Sequence, residues 1–266
     1  RDQGMNSPPS PRPSPAKGGR GGIYEQLPMS KPSCTVVIPA HNEEGVIAES
    51  VQKILCALKE SERTWKIVVV DDGSADATFD RATAALGGTG TVIRLSPCRG
   101  KAGAIVAGVL ACSTEYLLFT DADLSVPPDF FDRAAAALEN ADVAIASRHL
   151  PGSILLKRQP WLRQTCGEIF RVMVQRFFLP DVSDFTCGLK AFRTEHARTL
   201  FRDMACLDWT FDVELLLRAK SRRLRVAELP VSWSNRPDSR VRLLSAIAGS
   251  LRSLWKLHQI YGDRKS

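Results

Sequence analysis

Five short, unbroken apolar runs constrain this chain more than any other feature: CTVVIP (34–39), KIVVV (66–70), TVIRL (91–95), YLLFT (116–120) and DVAIAS (142–147). Each has the length and β-branched content of a strand, and helical periodicity separates one from the next. Residues 43–61 repeat Val46, Ile47, Val51, Ile54, Leu55 and Leu58 along one helical face. Further helices are expected over 76–86, 101–112 and 128–138, the last opened by Pro128, where a missing N–H costs nothing. Strands that are apolar throughout need cover on both faces, and alternating helices supply it. The expected fold class is therefore α/β, a mostly parallel sheet with helices on both faces.

The rest of the chain is less regular. A long amphipathic stretch at 160–179 precedes DFTCGLKAF (184–192), a helix near 195–203, another from Asp212, a strand in RVAELPVSW (225–233) and a last amphipathic helix over 241–261. Residues 1–32 are rich in Pro, Gly and Ser and cannot repay their ordering entropy, so a disordered tail is expected there. That leaves one globular domain over 33–240 and a C-terminal helical segment over 241–266. The net charge of +7 is concentrated in the second half, around Arg148–Arg176 and Arg218–Arg242. A basic surplus fits nucleic acid, an anionic membrane or a phosphorylated substrate. No nucleic-acid motif or interleaved aromatic platform supports the first. The seven cysteines are odd in number and form no C-x-x-C pair, which fits free thiols in a reducing compartment. The longest uncharged run, 102–114, is too short to span a bilayer.

In an open α/β sheet, ligands bind at the carboxyl ends of the strands. Those ends read PAHNE (39–43), DDGS (71–74), SPCRGKAGA (96–104), DADLS (121–125) and SR (147–148). Neither the G-x-G-x-x-G of a dinucleotide site nor a P-loop is present. What remains is an Asp-Asp pair and a D-x-D pair, Asp121 and Asp123, suited to a hard divalent cation, Mg2+ or Mn2+. Alone, each motif has a plain reading: a turn and helix cap in DDGS, surface carboxylates in DAD, a helix start in RGKAGA. Asp212 can likewise be a helix N-cap. Their convergence on consecutive strand ends is what marks a site.

These segments resemble glycosyltransferase family 2: VVIPAHNEE, IVVVDDGSADAT, RGKAGAI, DADLSVPP and ASR follow that family's order, over about residues 34–245. DFTCGLKAF and WTFDVELLLRAK resemble its polyprenyl-phosphate hexose synthases. The resemblance implies the Rossmann-like GT-A fold, with a C-terminal helical part facing acceptor and membrane. It implies a nucleotide-sugar set of Pro39, Ala40, His41, Glu43, Val70, Asp71, Asp72, Lys101, Asp121, Ala122, Arg148, Arg236 and Arg240. Asp121 and Asp123 would meet the metal, with Ser125 where the mannosyl branch has a Gln ligand. The implied reaction is an inverting transfer of a hexose to polyprenyl or dolichyl phosphate. Glucose from UDP-glucose is the first expectation, and mannose from GDP-mannose or a saccharide acceptor are the alternatives.

A lipid phosphate is already largely anionic at neutral pH, so it needs no strong general base. The demand falls on cations. Arg148 and Lys101 would stabilise the departing diphosphate, Arg158 and Arg163 would grip the lipid phosphate, and Asp123, Arg148, Arg163 and Asp212 form the expected catalytic set. Residues 160–179 and 241–261 could be an interfacial surface, or simply pack on the sheet. The expected location is the cytosolic face of a membrane, held peripherally, alone, as a homo-oligomer or through an anchoring subunit.

Overall fold

The structure, a computed structural model, describes residues 31–157, 161–235 and 243–262. Residues 1–30 of the expected tail, Arg158, Arg236 and Arg240 lie outside these residues, as does the side chain of Arg163. In chain order the elements are β1 (Cys34–Ala40), α1 (Ile47–Lys59), β2 (Trp65–Asp71), α2 (Thr78–Leu86), β3 (Thr91–Arg94), α3 (Gly100–Ala111) and β4 (Tyr116–Phe119). A 3-10 turn (Pro128–Phe130) then leads into α4 (Phe131–Ala137), β5 (Val143–Ser147), β6 (Ile154–Lys157) and α5 (Trp161–Phe177). The chain continues with β7 (Lys190–Arg193), α6 (Thr194–Leu200), α7 (Phe211–Ser221), β8 (Val226–Pro230), β9 (Ser232–Ser234) and α8 (Leu243–Tyr261).

The apolar runs form the main sheet, ordered β3-β2-β1-β4-β7-β5-β8. β1, β2, β3 and β4 pair in parallel, as do β5 and β8. β7 is antiparallel to both its neighbours. The chain leaves β1 toward β2 on one side and returns through α3 to β4 on the other, which makes the β1/β4 boundary the switch point where such sheets bind ligands.

Helices cover both faces, and each face has its own core. Val36, Ile38, Val69 and Leu118 point to α1, α2 and α4; Val37, Val70, Leu117 and Phe119 point to α3, α6 and α7. This period-2 division is why the strands read as unbroken apolar runs. α3 lies so close to β1 that a Cβ at Gly108 would overlap Val37.

Two local expectations change. α1 begins at Ile47 rather than 43, because the backbone N–H groups of Glu43 and Glu44 donate to Thr78 Oγ1 and Asp76 Oδ2 across the cleft. RVAELPVSW is not one strand: β8 ends at Pro230, and β9 pairs with β6 in a separate two-stranded sheet. A proline has no N–H to continue a ladder, so the break falls there.

The two amphipathic stretches are packed on one side and exposed on the other. Val174 of α5 and Leu254 and Leu257 of α8 are buried in the α3-side core. On their other faces Trp161, Leu162, Ile169, Val172, Leu251 and Trp255 are exposed. Among the described residues, no helix is long and apolar enough to cross a membrane.

Candidate active site

The first wall of the cleft comes from the ends of β1 and β2. Asp71 is fully buried and faces Arg94 Nε at 3.3 Å. Asp72 accepts from Arg99 N at 2.7 Å and from the Cys98 thiol at 3.1 Å. His41 Nδ1 donates to the Asp72 carbonyl at 2.8 Å, which leaves Nε2 to accept from Asn42 Nδ2 at 3.0 Å. Asn42 takes a positive φ of 54° and closes the wall, its Oδ1 accepting from Ala75 N. A ring nitrogen of His41, a carboxylate oxygen of Asp72 and the Cys98 sulfur lie within 4.8 Å of one another. Only the Cys98 thiol and the Asp72 carboxylate bond to each other; the His41 ring is held by the Asp72 carbonyl and by Asn42. Pro39, Ala40 and Val70 are buried strand residues, and Glu43 is half-buried at the rim.

The centre of the cleft is built on the loop after β4. Asp121 Oδ1 meets Lys101 Nζ at 2.5 Å. Asp123 turns the loop by accepting from the Ser125 N–H at 3.0 Å, with Leu124 at a φ of 50°. The Ser125 hydroxyl donates to Asp123, 2.8 and 2.9 Å from its two oxygens. Behind the loop stands Gly188, where any Cβ would overlap the Asp121 carboxylate. Ala122 is buried against the α1-side core.

Beneath lies a buried ion pair. Lys190 Nζ sits 2.7 Å from Asp212 Oδ1, donates to the Cys187 carbonyl at 2.8 Å and stacks over Phe119. Both side chains are removed from water. Burial pushes the Asp212 carboxyl above its usual range, against the pull of Lys190 and Lys101. Burial would lower Lys101, yet Asp121 and then Asp212 outweigh it and hold the ammonium above its usual value. The N-cap reading of Asp212 does not hold. Thr210 occupies the cap of α7, with its N–H and hydroxyl on Asp208, and Asp212 is inside the first turn aimed at Lys190.

The far wall is Arg148, at the end of β5. Its Nε and Nη2 donate to the two oxygens of Asp184 at 2.7 and 2.9 Å, and Nη2 also reaches Thr186 Oγ1 at 2.8 Å. Trp233 of β9 lies under the guanidinium. Burial opposes ionisation of Asp184, but the Arg148 guanidinium overcomes it and holds the carboxyl down at about 2.

Of the residues singled out from sequence, His41, Asp71, Asp72, Lys101, Asp121, Asp123, Ser125, Arg148 and Asp212 all fall along this edge of the sheet. Asp184, Gly188 and Lys190 belong to the same edge and were not singled out, although all three stand in DFTCGLKAF. β7 runs antiparallel, so it brings its amino end to the edge where its neighbours bring their carboxyl ends. A scan of strand carboxyl ends passes over it.

Sheet order and edge together define a doubly wound α/β protein with a carboxylate-lined ligand site at its switch point. Comparison with known proteins narrows that class. The profile described as Glycosyl transferase family 2 matches residues 35–201, and the chain belongs to this family. It is 32% identical over 227 residues to a dolichyl-phosphate beta-glucosyltransferase of Trichomonas vaginalis, covering 80% of this chain and 67% of that one. To the human dolichyl-phosphate beta-glucosyltransferase it is 30% identical over 241 residues, covering 83% and 74%. Among solved structures, Mycobacterium tuberculosis glucosyl-3-phosphoglycerate synthase, crystallised with Mn2+, UDP and glucosyl-3-phosphoglycerate, aligns with a TM-score of 0.66 at 22% identity, covering 87% and 80%. At that identity the likeness is one of fold, GT-A. The chain is a glycosyltransferase.

Proposed function

We propose that this enzyme transfers glucose from UDP-glucose, with inversion, to a polyprenyl phosphate of the dolichyl type, giving a β-linked lipid-phosphate sugar. The names of its relatives support the sugar and the acceptor. The observation that carries the acceptor class is the state of the carboxylates flanking the clasp. Asp212 is buried on Lys190, and Asp184 is locked by Arg148. Neither stands open to take a proton from a sugar hydroxyl, and a phosphate nucleophile needs no such base.

Asp72, His41 and Asp71 suit the polar edges of a nucleoside, and Arg148 and Lys101 suit the developing charge of a departing diphosphate. Asp121 and Asp123 offer only oxygen donors, which fits Mg2+ or Mn2+; Ser125 could join them by releasing Asp123. When bound, such an ion supplies Lewis-acid stabilisation to the leaving diphosphate. Lys190 and Asp212 hold the floor of the site rather than touch substrate. Arg158, Arg163, Arg236 and Arg240 remain candidates for phosphate contacts on sequence grounds alone.

A lipid acceptor requires a surface that meets a bilayer. β6 and the start of α5 expose Ile154, Leu155, Leu156, Trp161 and Leu162, with the exposed Lys157 at the end of β6, which suits peripheral attachment at the cytosolic face. Direct attachment of this kind would make an anchoring subunit unnecessary.

The decisive test is an assay of purified protein with Mg2+ or Mn2+, polyprenyl phosphate and a panel of nucleotide sugars. Lipid-dependent release of UDP from UDP-glucose is expected. Preference for GDP-mannose would overturn the donor, and equal turnover without the lipid phosphate would overturn the acceptor.

A further inference from the structure

Lys101 occupies an unusual position for a residue meant to contact a nucleotide. Its ammonium does not point at open cleft; it sits on Asp121 Oδ1 at 2.5 Å, an oxygen that the acidic clasp needs for its cation. Gly188 backs the other oxygen of Asp121 with no room for a single carbon, so the carboxylate is closed on that side. Cation and ammonium therefore compete for the same atom.

The displaced ammonium would not have to enter bulk water. Asp212 is the next carboxylate acting on Lys101 after Asp121, and the Phe211 ring lies 6.0 Å from Nζ. Asp212 Oδ1 is buried with Lys190 2.7 Å away, and no other side-chain partner is found for this carboxylate among the described residues. A buried carboxylate with a single partner has acceptor positions left for a second cationic donor. Lys190 cannot take up the slack, because it is fully buried and also tied to the Cys187 carbonyl.

The helix that carries Lys101 adds a link to the other wall. Arg99 N, at the N-cap of α3, donates to Asp72 Oδ1, two residues before Lys101. The wall suited to the nucleoside and the ammonium on the clasp are therefore ends of one short rigid segment.

We propose that Lys101 is the exchangeable counter-ion of the clasp: a divalent cation replaces it on Asp121, and Asp212 retains the released ammonium where it can meet the nucleotide's diphosphate. The proposal rests on the reading of Asp121 and Asp123 as the cation site. It makes cation and nucleotide binding cooperative, because the cation alone must displace a satisfied ammonium, whereas the diphosphate gives that ammonium a new partner.

The test is Mn2+ binding to the full chain, followed by electron paramagnetic resonance of the free ion, with and without UDP. Lys101→Met removes the competitor and keeps a side chain of similar length. Without UDP it is expected to bind Mn2+ roughly tenfold more tightly than the wild type. The enhancement of Mn2+ affinity by UDP, expected in the wild type, should largely vanish in Lys101→Met. Removing any positive charge beside the clasp would tighten Mn2+ to some extent, so the loss of the enhancement by UDP is the reading that separates exchange from simple repulsion. Unchanged or weaker Mn2+ binding by Lys101→Met, while Asp123→Ala abolishes it, overturns the exchange and leaves the cation site standing. Wild-type Mn2+ affinity in Asp123→Ala overturns the cation site and the exchange together. Should Lys101→Met not fold, Lys101→Gln carries the same expectations.

Discussion

Arg148 and Asp184 meet fork to fork, Nε on Oδ2 at 2.7 Å and Nη2 on Oδ1 at 2.9 Å, and the Arg148 backbone N–H adds a third bond to the same carboxylate at 3.0 Å. Thr186 N and Cys187 N also donate to Asp184, at 3.1 and 3.2 Å. The aspartate is thus a structural anchor. It joins the end of β5 to the loop before β7, across the gap that an antiparallel strand opens in the sheet, and it fixes the direction in which the guanidinium can face a phosphate.

Arg148→Lys should therefore behave as a severe change. An ammonium cannot span both oxygens, and it leaves a buried carboxylate partly unpaired, at a cost of about 3 kcal/mol. A clear drop in melting temperature together with loss of transfer is expected. Wild-type melting with intact transfer would show that one point charge suffices.

The same pair sets an acid limit. Asp184 has its carboxyl lowered from the usual 3.8 to about 2, so the folded state binds its proton less readily than the unfolded chain. Its contribution is present above about pH 4 and lost as the pH falls toward 2, on the order of 2 kcal/mol in all. Denaturant titrations across that window should show stability falling with acid in the wild type. The fall should be shallower in Asp184→Asn, from a lower starting point.

Much of this was legible in the sequence because the parallel half of the sheet obeys a simple rule. Val36 and Ile38 face one core, Val37 faces the other, and the first polar residues after them mark the binding edge. His41, Asp72, Lys101, Asp121 and Arg148 follow from that rule. Lys190 does not, because it opens an antiparallel strand and its charge is buried, where an apolar residue would be expected. Only its partner Asp212, in the first turn of α7, explains it. Nor does the sequence show that the Ser125 hydroxyl braces Asp123, a contact that only side-chain geometry reveals.

Gly188→Ala probes the clasp from behind. The added carbon would overlap the Asp121 carboxylate, which would have to move off Lys101 to make room. Asp121 is expected to be pushed off its present position, weakening Mn2+ binding about tenfold or more while far-ultraviolet circular dichroism stays native. Unaltered Mn2+ binding would mean that Asp121 is not held where the cation needs it.

The proposed membrane contact can be tested separately from chemistry. Leu156 of β6 and Trp161 at the start of α5 are 68% and 77% exposed, so neither is held by packing. Replacing such exposed side chains changes stability by about 0.5 kcal/mol at most. Burying them in a bilayer would contribute roughly 2 kcal/mol each. The double variant Leu156→Glu, Trp161→Glu should therefore melt like the wild type yet no longer float with anionic vesicles. Transfer to a short, water-soluble prenyl phosphate should persist while transfer to vesicle-embedded acceptor falls. If the variant floats as well as the wild type, β6 and α5 are not the contact, and the exposed Leu251 and Trp255 of α8 become the surface to change.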